Sequence, residues 1–295
     1  MTDHTFFTFN GNDLEPSTLF EDFTYPMGER TVRLTDPSPV THAAHVMWVN
    51  TPHPDVSFIA QWADLVTRKL TESRAVLVLP FLPGSRGDKD VPSPARVNAE
   101  LIANTAITDL ITIDPHSDVW LDTFRSWNAG VTVHVIPSQL VTIAAVNPSN
   151  APQNYRAVIA PDKGAVRRAN AVADILKLPV LVAEKKRDPA TGRILSYDFP
   201  AALDGGRVLV VDDICDGGGT FAMLANALPA SVDADLWVTH GGFTKGWTGT
   251  GLERYRTIFT TDSLRSAVDM RSKHPERFAV TNLDPFITEI IAGLK

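Results

Sequence analysis

Cysteine is nearly missing from these 295 residues. With Cys215 the single one, an intrachain disulfide and a cysteine-based zinc site are both excluded. Long apolar runs are missing too. No stretch reaches the roughly 18 apolar residues that a membrane span needs, so no membrane partner is expected. A basic excess is also absent. Lysine and arginine number 27 against 34 aspartates and glutamates, the formal charge is −7, and no long basic run occurs, so nucleic acid is not expected as a partner. The N-terminus lacks the basic-then-apolar pattern of a secretion signal, which makes the cytosol the expected location. What is present describes a globular chain, 44% hydrophobic and 21% charged, long enough for two domains with their own cores.

The most informative stretch is Arg207 to Leu228. Val208–Val211 is short, apolar and β-branched, as in a buried parallel strand. Asp212–Thr220 holds three aspartates, three successive glycines and a threonine, and Phe221–Leu228 reads as a helix with Leu224 and Leu228 on one face. A strand, a glycine-rich turn and a helix start make an anion cradle, because backbone N–H groups turn inward and the helix N-terminus adds partial positive charge. Paired acids at the strand end would repel phosphate but suit sugar hydroxyls or a hydrated Mg²⁺. An ordinary strand–turn–helix corner needs one glycine, not three, and no paired acids. The local reading is a phosphorylated sugar, its hydroxyls on Asp212 and Asp213 and its phosphate on residues 216–220. Cys215 is either a thiol activated at a helix N-terminus or a space-filler beneath the loop; the second is the expectation.

Taken in order, the first half predicts strands at Thr5–Phe9, Ala44–Val49, Ala75–Phe81, Asp109–Asp114 and Val131–Pro137. A turn and strand are expected within Thr24–Leu34, and helices at Phe58–Leu70 and Ala95–Thr105. Leu82–Pro94 reads as a loop, and Asn147–Gln153, with two prolines, as the linker. The second half repeats the alternation. Strands are expected at Arg156–Ala160, Pro179–Glu184, Asp235–His240 and Tyr255–Thr260, with helices at Gly164–Leu176 and Pro285–Leu294. The fold class is therefore α/β, with mainly parallel sheets in two similar halves, residues 1–147 and 148–295. No internal sequence identity demonstrates a duplication.

Other candidates follow strands, where open α/β sheets bind ligands. Asp162 ends one strand and either faces a ligand or caps the next helix. His116, in Asp114-Pro115-His116, is either structural or a ligand. Lys185-Lys186-Arg187 is either a solvated turn or a cluster that neutralises a transferring phosphoryl group.

The loop Asp212-Asp213-Ile214-Cys215-Asp216-Gly217-Gly218-Gly219-Thr220 resembles the Asp-Asp-x-x-Asp-Thr-Gly-Gly-Thr pattern of type I phosphoribosyltransferases and ribose-phosphate diphosphokinases, with Gly217 in place of threonine. Four further motifs resemble the diphosphokinases in order. Tyr25–Glu29 is similar to Phe-Pro-Asp-Gly-Glu, and Leu79–Lys89 to Pro-Tyr-Phe-x-Tyr-Ala-Arg-Gln-Asp-Arg, with Gly87 for glutamine and Lys89 for arginine. Asp114–His116 is similar to Asp-Leu-His, and Lys185–Arg187 to Lys-Arg-Arg, with Asp188 inserted before the proline. Ala160–Val166 also resembles Ser-Pro-Asp-x-Gly-Gly-Val.

This resemblance implies two phosphoribosyltransferase-like domains, the first with the ATP-gripping loop and adenine segment, the second with the ribose-phosphate loop and catalytic loop. It implies Mg²⁺-dependent transfer of a diphosphoryl group from ATP to the anomeric hydroxyl of ribose 5-phosphate. Lys185 and Arg187 would be catalytic; Glu29, Arg86, Asp88, Lys89 and His116 would bind ATP; His116 and Asp162 would be metal-linked. Asp212, Asp213, Asp216, Gly217, Gly218, Gly219 and Thr220 would hold the ribose phosphate. A homo-oligomer, dimer or larger, is implied by the adenine segment, which usually serves a neighbouring subunit. The short stretch from Gly11 to Tyr25 leaves little room for the family's first helix. Gly217 keeps a second acceptor open. It removes a hydroxyl donor and leaves room for a larger 5-substituent, as in ADP-ribose, and Asp-Gly-Gly resembles the loop of phage-type relatives that act on ADP-ribose. A non-catalytic regulatory homologue would be expected to lose the lysine, arginine and histidine, all of which are present. A simple phosphoribosyltransferase would lack the second half and the Arg86 segment.

Overall fold

The computed structural model describes residues 4–36, 42–146, 154–187, 194–199 and 203–294. The expected linker at Asn147–Gln153 and the inserted Asp188 lie outside them. The chain forms two compact units, Met1–Ile136 with Leu283–Lys295, and Pro137–Asn282.

In the first unit the elements are β1 (His4–Phe9), β2 (Leu14–Pro16), β3 (Phe20–Thr24), β4 (Arg30–Leu34), β5 (Ala44–Val49), α1 (Val56–Lys69), β6 (Arg74–Val78), α2 (Pro94–Ala103), β7 (Asp109–Ile113), α3 (Asp118–Trp127) and β8 (Thr132–Ile136). The sheet order is β2-β1-β5-β6-β7-β8. Its β5–β8 core is parallel, while β1 pairs antiparallel with both β2 and β5. Parallel strands covered by helices are apolar on both faces, and all five residues of β7 are buried. In α1, Ile59, Trp62, Ala63 and Val66 recur at helical spacing and are buried. Asp55 caps its N-terminus, accepting from the Phe58 amide at 3.0 Å, and Arg68 and Lys69 sit in the last turn.

The second unit begins with α4 (Ser138–Val146) and continues with β9 (Tyr155–Ala160), α5 (Val166–Leu176), β10 (Val180–Val182), β11 (Glu184–Arg187), β12 (Ile194–Asp198), β13 (Gly206–Cys215), α6 (Gly219–Ala227), β14 (Val232–Gly241), β15 (Tyr255–Thr261), α7 (Arg265–Lys273) and β16 (Phe278–Thr281). Its six-stranded sheet, β10-β9-β13-β14-β15-β16, is parallel throughout. The chain then returns to the first unit as α8 (Asp284–Ala292). Among the described residues, no helix is long and apolar enough to cross a membrane.

The α/β class with mainly parallel sheets holds in both units. The division of the chain differs from residues 1–147 and 148–295 at both ends. α4 buries Val141, Thr142 and Val146 and packs on α5 and on β14–β16, whereas α8 packs on β8. Apolar faces go where there is a sheet to cover, regardless of chain order. Between Gly11 and Tyr25 there is indeed no helix; β2 and β3 fill the stretch, and β3 pairs with β4 as a hairpin.

The two sheets share a buried device. Near the start of β6, Arg74 donates to both oxygens of Asp109 on β7, at 2.8 and 2.9 Å. Near the start of β13, Arg207 lies 2.6 Å from Asp235 on β14. Both aspartates are fully buried. His134 is 3.2 Å from the first, and Tyr155 donates to the second at 2.6 Å. The flanking strands read alike, Asp109-Leu-Ile-Thr-Ile and Asp235-Leu-Trp-Val-Thr. This repeated placement in equivalent strands is the mark of internal similarity that the sequence alone does not display.

His45 of β5 is fully buried, and neither ring nitrogen has a hydrogen-bond partner among the described residues. Burial, with a smaller contribution from His42, pushes its pKa down to about 4. The unfolded chain therefore binds the extra proton first, and stability is lost as pH falls below about 6.5. His45→Leu should flatten this part of the acid-stability curve, which thermal melts of both proteins between about pH 4 and 7 would show.

Candidate active site

β13 runs through Cys215, so Asp212 and Asp213 belong to the strand and the turn contracts to Asp216–Gly218 before α6. Gly218 has φ 76°, and a Cβ there would lie 2.9 Å from Leu252 Cδ1; only glycine serves both needs. As the residue capping α6, it has no side chain to satisfy the first N–H groups of the helix. A Cβ on Gly219 would meet nothing within 4 Å, so the cradle is open there. This is anion-binding geometry.

The acids divide the work. Asp213 is buried, and Arg168 of α5 lies 3.0 Å from it. Asp162 accepts from the Gly164 and Ala165 amides at 2.9 and 3.3 Å, which is the capping reading of that residue. Asp212 is half-buried, and its Oδ1 accepts from the Asp213 amide at 2.9 Å. Burial, then the adjacent Asp213 charge, push the Asp212 pKa up to about 8, with Asp162 adding a little. Asp212 thus presents a half-buried carboxyl at the strand end. Asp216 is tied back by Thr244, whose hydroxyl donates to its carboxylate at 2.7 Å and whose amide donates to its carbonyl at 3.0 Å. Cys215 is fully buried, and burial, with Asp216 and Asp212, pushes its thiol up to about 12. It fills space and is not a nucleophile.

Lys185 and Arg187 lie on β11, which pairs antiparallel with β12, Lys185 opposite Tyr197, with a register shift between Lys186 and Arg187. Their backbone is thus a strand of a two-stranded ribbon, not a plain loop. Their side chains, and residues 188–193, lie outside the description.

In the first unit, Arg86 is exposed on a 3-10 turn, Ser85–Gly87, that follows β6; Asp88 closes that turn and Lys89 is exposed beyond it. Gly84 and Gly87 back onto Pro94, the first residue of α2. A Cβ at either position would come within 2.7 Å of it, so the glutamine of the resembled motif does not fit at 87. Ser93 bonds the Gly87 carbonyl at 3.0 Å and fixes the turn to the helix. His116 is exposed just past β7, and Asp114 before it holds a positive φ of 45°, an uncommon strain for a non-glycine residue that clusters at functional sites. Glu29 is exposed at the tip of the β3–β4 hairpin, closed by Gly28 donating to Tyr25 and Tyr25 donating to Glu29, both at 2.8 Å. Among the described residues, no group of three or more His, Cys, Asp and Glu side chains is arranged to hold a metal ion.

Residues 140–233 match the phosphoribosyl transferase domain family. A ribose-phosphate pyrophosphokinase of Pyrococcus abyssi is 27% identical over 88% of this chain and 82% of its own length. One of Maricaulis maris is 27% identical over 65% of this chain. The chain is similar to ribose-phosphate pyrophosphokinases over most of its length. It spans 62% of the length of the Maricaulis relative. The crystal structure of a phosphoribosylpyrophosphate synthetase from Mycobacterium smegmatis superposes with a TM-score of 0.71 over 94% of this chain and 90% of that one, at 23% identity, a likeness of fold.

Two elements of this ribose-phosphate pyrophosphokinase relative escaped sequence reasoning. Arg168 is one of two arginines on a helix, and nothing in the sequence tells which one reaches Asp213. The segment Gly241–Gly246, which straps the phosphate loop, carries three glycines just after a strand. That richness was the available signal.

The raised pKa of Asp212 has a stability consequence. The folded chain binds a proton that the unfolded chain releases near pH 3.8, so stability drops as pH rises from there to about 8. Asp212→Asn carries no such slope. In ligand-free protein its melting temperature should gain on the wild type progressively from about pH 4 to 8. A constant offset across that range would contradict the assignment.

Proposed function

We propose that the chain transfers the diphosphoryl group of ATP to the anomeric hydroxyl of a ribose bearing a 5-phosphate. The anomeric oxygen bonds to the β-phosphorus, the bond between that phosphorus and the α-phosphate oxygen breaks, AMP leaves, and the hydroxyl proton is lost. The observation that carries this reading is the uncapped start of α6 behind Asp216–Gly218, with Asp212 at the strand end. It offers N–H groups to a phosphate and a carboxyl to the sugar, as the similarity to ribose-phosphate pyrophosphokinases leads one to expect.

The donor side would be the exposed Arg86, Lys89 and His116 and the half-buried Asp88 of the first unit. Mg²⁺ is the cofactor that transfer from ATP implies. It keeps most of its shell as water and substrate phosphate, so few protein ligands are needed; His116 in the first unit and Asp162 in the second are the residues expected to serve it, and it would offset charge on the ATP phosphates. Lys185 and Arg187 would stabilise the transferring group; the protein's own work is positioning and charge compensation. Retention of these cations and of His116 favours an enzyme over a regulatory homologue.

Two acceptors satisfy the loop, ribose 5-phosphate first and ADP-ribose second. Gly217 supports the second, since it carries no hydroxyl for a terminal phosphate. AMP release from ATP, followed with each acceptor in turn, decides. Turnover with ribose 5-phosphate supports the first reading, turnover only with ADP-ribose the second, and none with either refutes both. Lys185→Ala should lower kcat of the competent reaction by roughly 10² or more, with ATP affinity little changed.

The β3–β4 hairpin points to assembly. Its tip carries exposed Tyr25, Met27 and Glu29, and we propose that it serves a neighbouring subunit of at least a dimer. Light scattering at assay concentration is expected to give twice the 32.2 kDa chain mass or more. A fully active monomer would refute this.

A further inference from the structure

The space left at Gly217 is not empty. A Cβ built on that residue would lie 3.3 Å from both Cδ and Cε of Lys245, and 3.5 Å from its Cγ. The backbone at 217 is not left-handed, so the conformation does not demand glycine; a side chain there would press on the lysine stem, which would have to give by a few tenths of an ångström. Lys245 is held in this position from both sides. Before it, Thr244 is bonded twice to Asp216. Beyond it, the Gly246 amide donates to the Phe243 carbonyl at 2.8 Å, closing a tight turn with Lys245 at its tip. Phe243 and Trp247, at the two feet of that turn, are buried against Phe278 with ring centroids 5.1 and 5.4 Å apart from it.

Charge gives this placement a purpose. The strand end and loop carry Asp212, Asp213 and Asp216, and Arg168 is engaged with Asp213. A phosphate entering such surroundings needs a compensating cation, because backbone N–H groups alone face three carboxyl groups. The Lys245 side chain is exposed, and among the described residues it makes no ion pair.

We propose that Lys245 is a binding residue of the phosphate loop, its ammonium contacting the 5-phosphate ester of the ribose substrate in place of a loop hydroxyl. This rests on the proposed function for the class of ligand, but not on turnover. An ammonium on a flexible stem supplies a full charge over a range of positions, whereas a hydroxyl supplies one fixed donor. The pair Gly217 and Lys245 is therefore the determinant of which ribose phosphate binds.

The test is calorimetric titration, without ATP, of ribose 5-phosphate and separately of ADP-ribose. Wild type is compared with Lys245→Ala, Lys245→Arg, and Lys245→Ala combined with Gly217→Thr. Lys245→Ala should weaken the bound sugar phosphate roughly tenfold to a hundredfold. Lys245→Arg should recover most of the loss, which a merely structural role would not produce. A larger loss for ribose 5-phosphate assigns the contact to a terminal phosphate; a larger loss for ADP-ribose assigns it to the diphosphate. The double variant should regain affinity for ribose 5-phosphate, because removing the stem makes room for the threonine. Affinities within about twofold of wild type in Lys245→Ala would overturn the proposal, as would a wild type that binds neither probe. Binding that depends on Lys245 in a protein that releases no AMP would leave this inference standing and refute the proposed function instead.

Discussion

Each sheet is anchored by one buried guanidinium–carboxylate pair, Arg74 with Asp109 in the first unit and Arg207 with Asp235 in the second. Both pairs sit near the N-terminal ends of the parallel strands, where β6 and β13 meet β7 and β14. A fully buried carboxylate that loses its partner costs about 3–5 kcal/mol, a large part of a domain's stability. The pairs therefore fix strand register at one edge of each sheet, well away from the loops. Register fixed at that edge sets where every strand ends at the other.

The opposite edges are left to chemistry. There residues carry unfavourable charge or strained backbone: Asp212 with its raised pKa, Asp114 with positive φ, and Phe243 with positive φ in the strap over the glycine-rich loop. Strain and unfavourable charge at one edge are sustained by the paired networks at the other. The division also explains Asp213 and Asp216. They look equivalent to Asp212 in sequence, but one is bound to Arg168 and the other to Thr244.

The phosphate loop shows how close packing selects a residue. Gly218 is required by its backbone and by Leu252, whereas Gly217 lies against a lysine stem from a different loop. In the first unit, Gly87 is likewise required by Pro94 and not by its own φ. A glycine in a motif position thus has three physical origins here, and only the first is local.

The sequence by itself determined the elements with strong periodicity and the apolar parallel strands, because those depend on side chains a few residues apart. β1, β5, α1, β6, β7, β9, β13 and β14 all fall where hydrophobic spacing puts them. It also determined the glycine-rich loop, whose composition is unusual enough to point to an anion. Elements with weak local signals were missed. α7 buries little beyond Ala267 and Met270, and α4 is apolar enough to read as either helix or strand. Only the tertiary structure decided that α8 closes back on the first unit, that Asp213 is neutralised by Arg168, and that Lys245 occupies the space beside Gly217. Each of these joins residues far apart in the chain. Such contacts are set by how strands and helices pack, and side-chain periodicity carries no information about them.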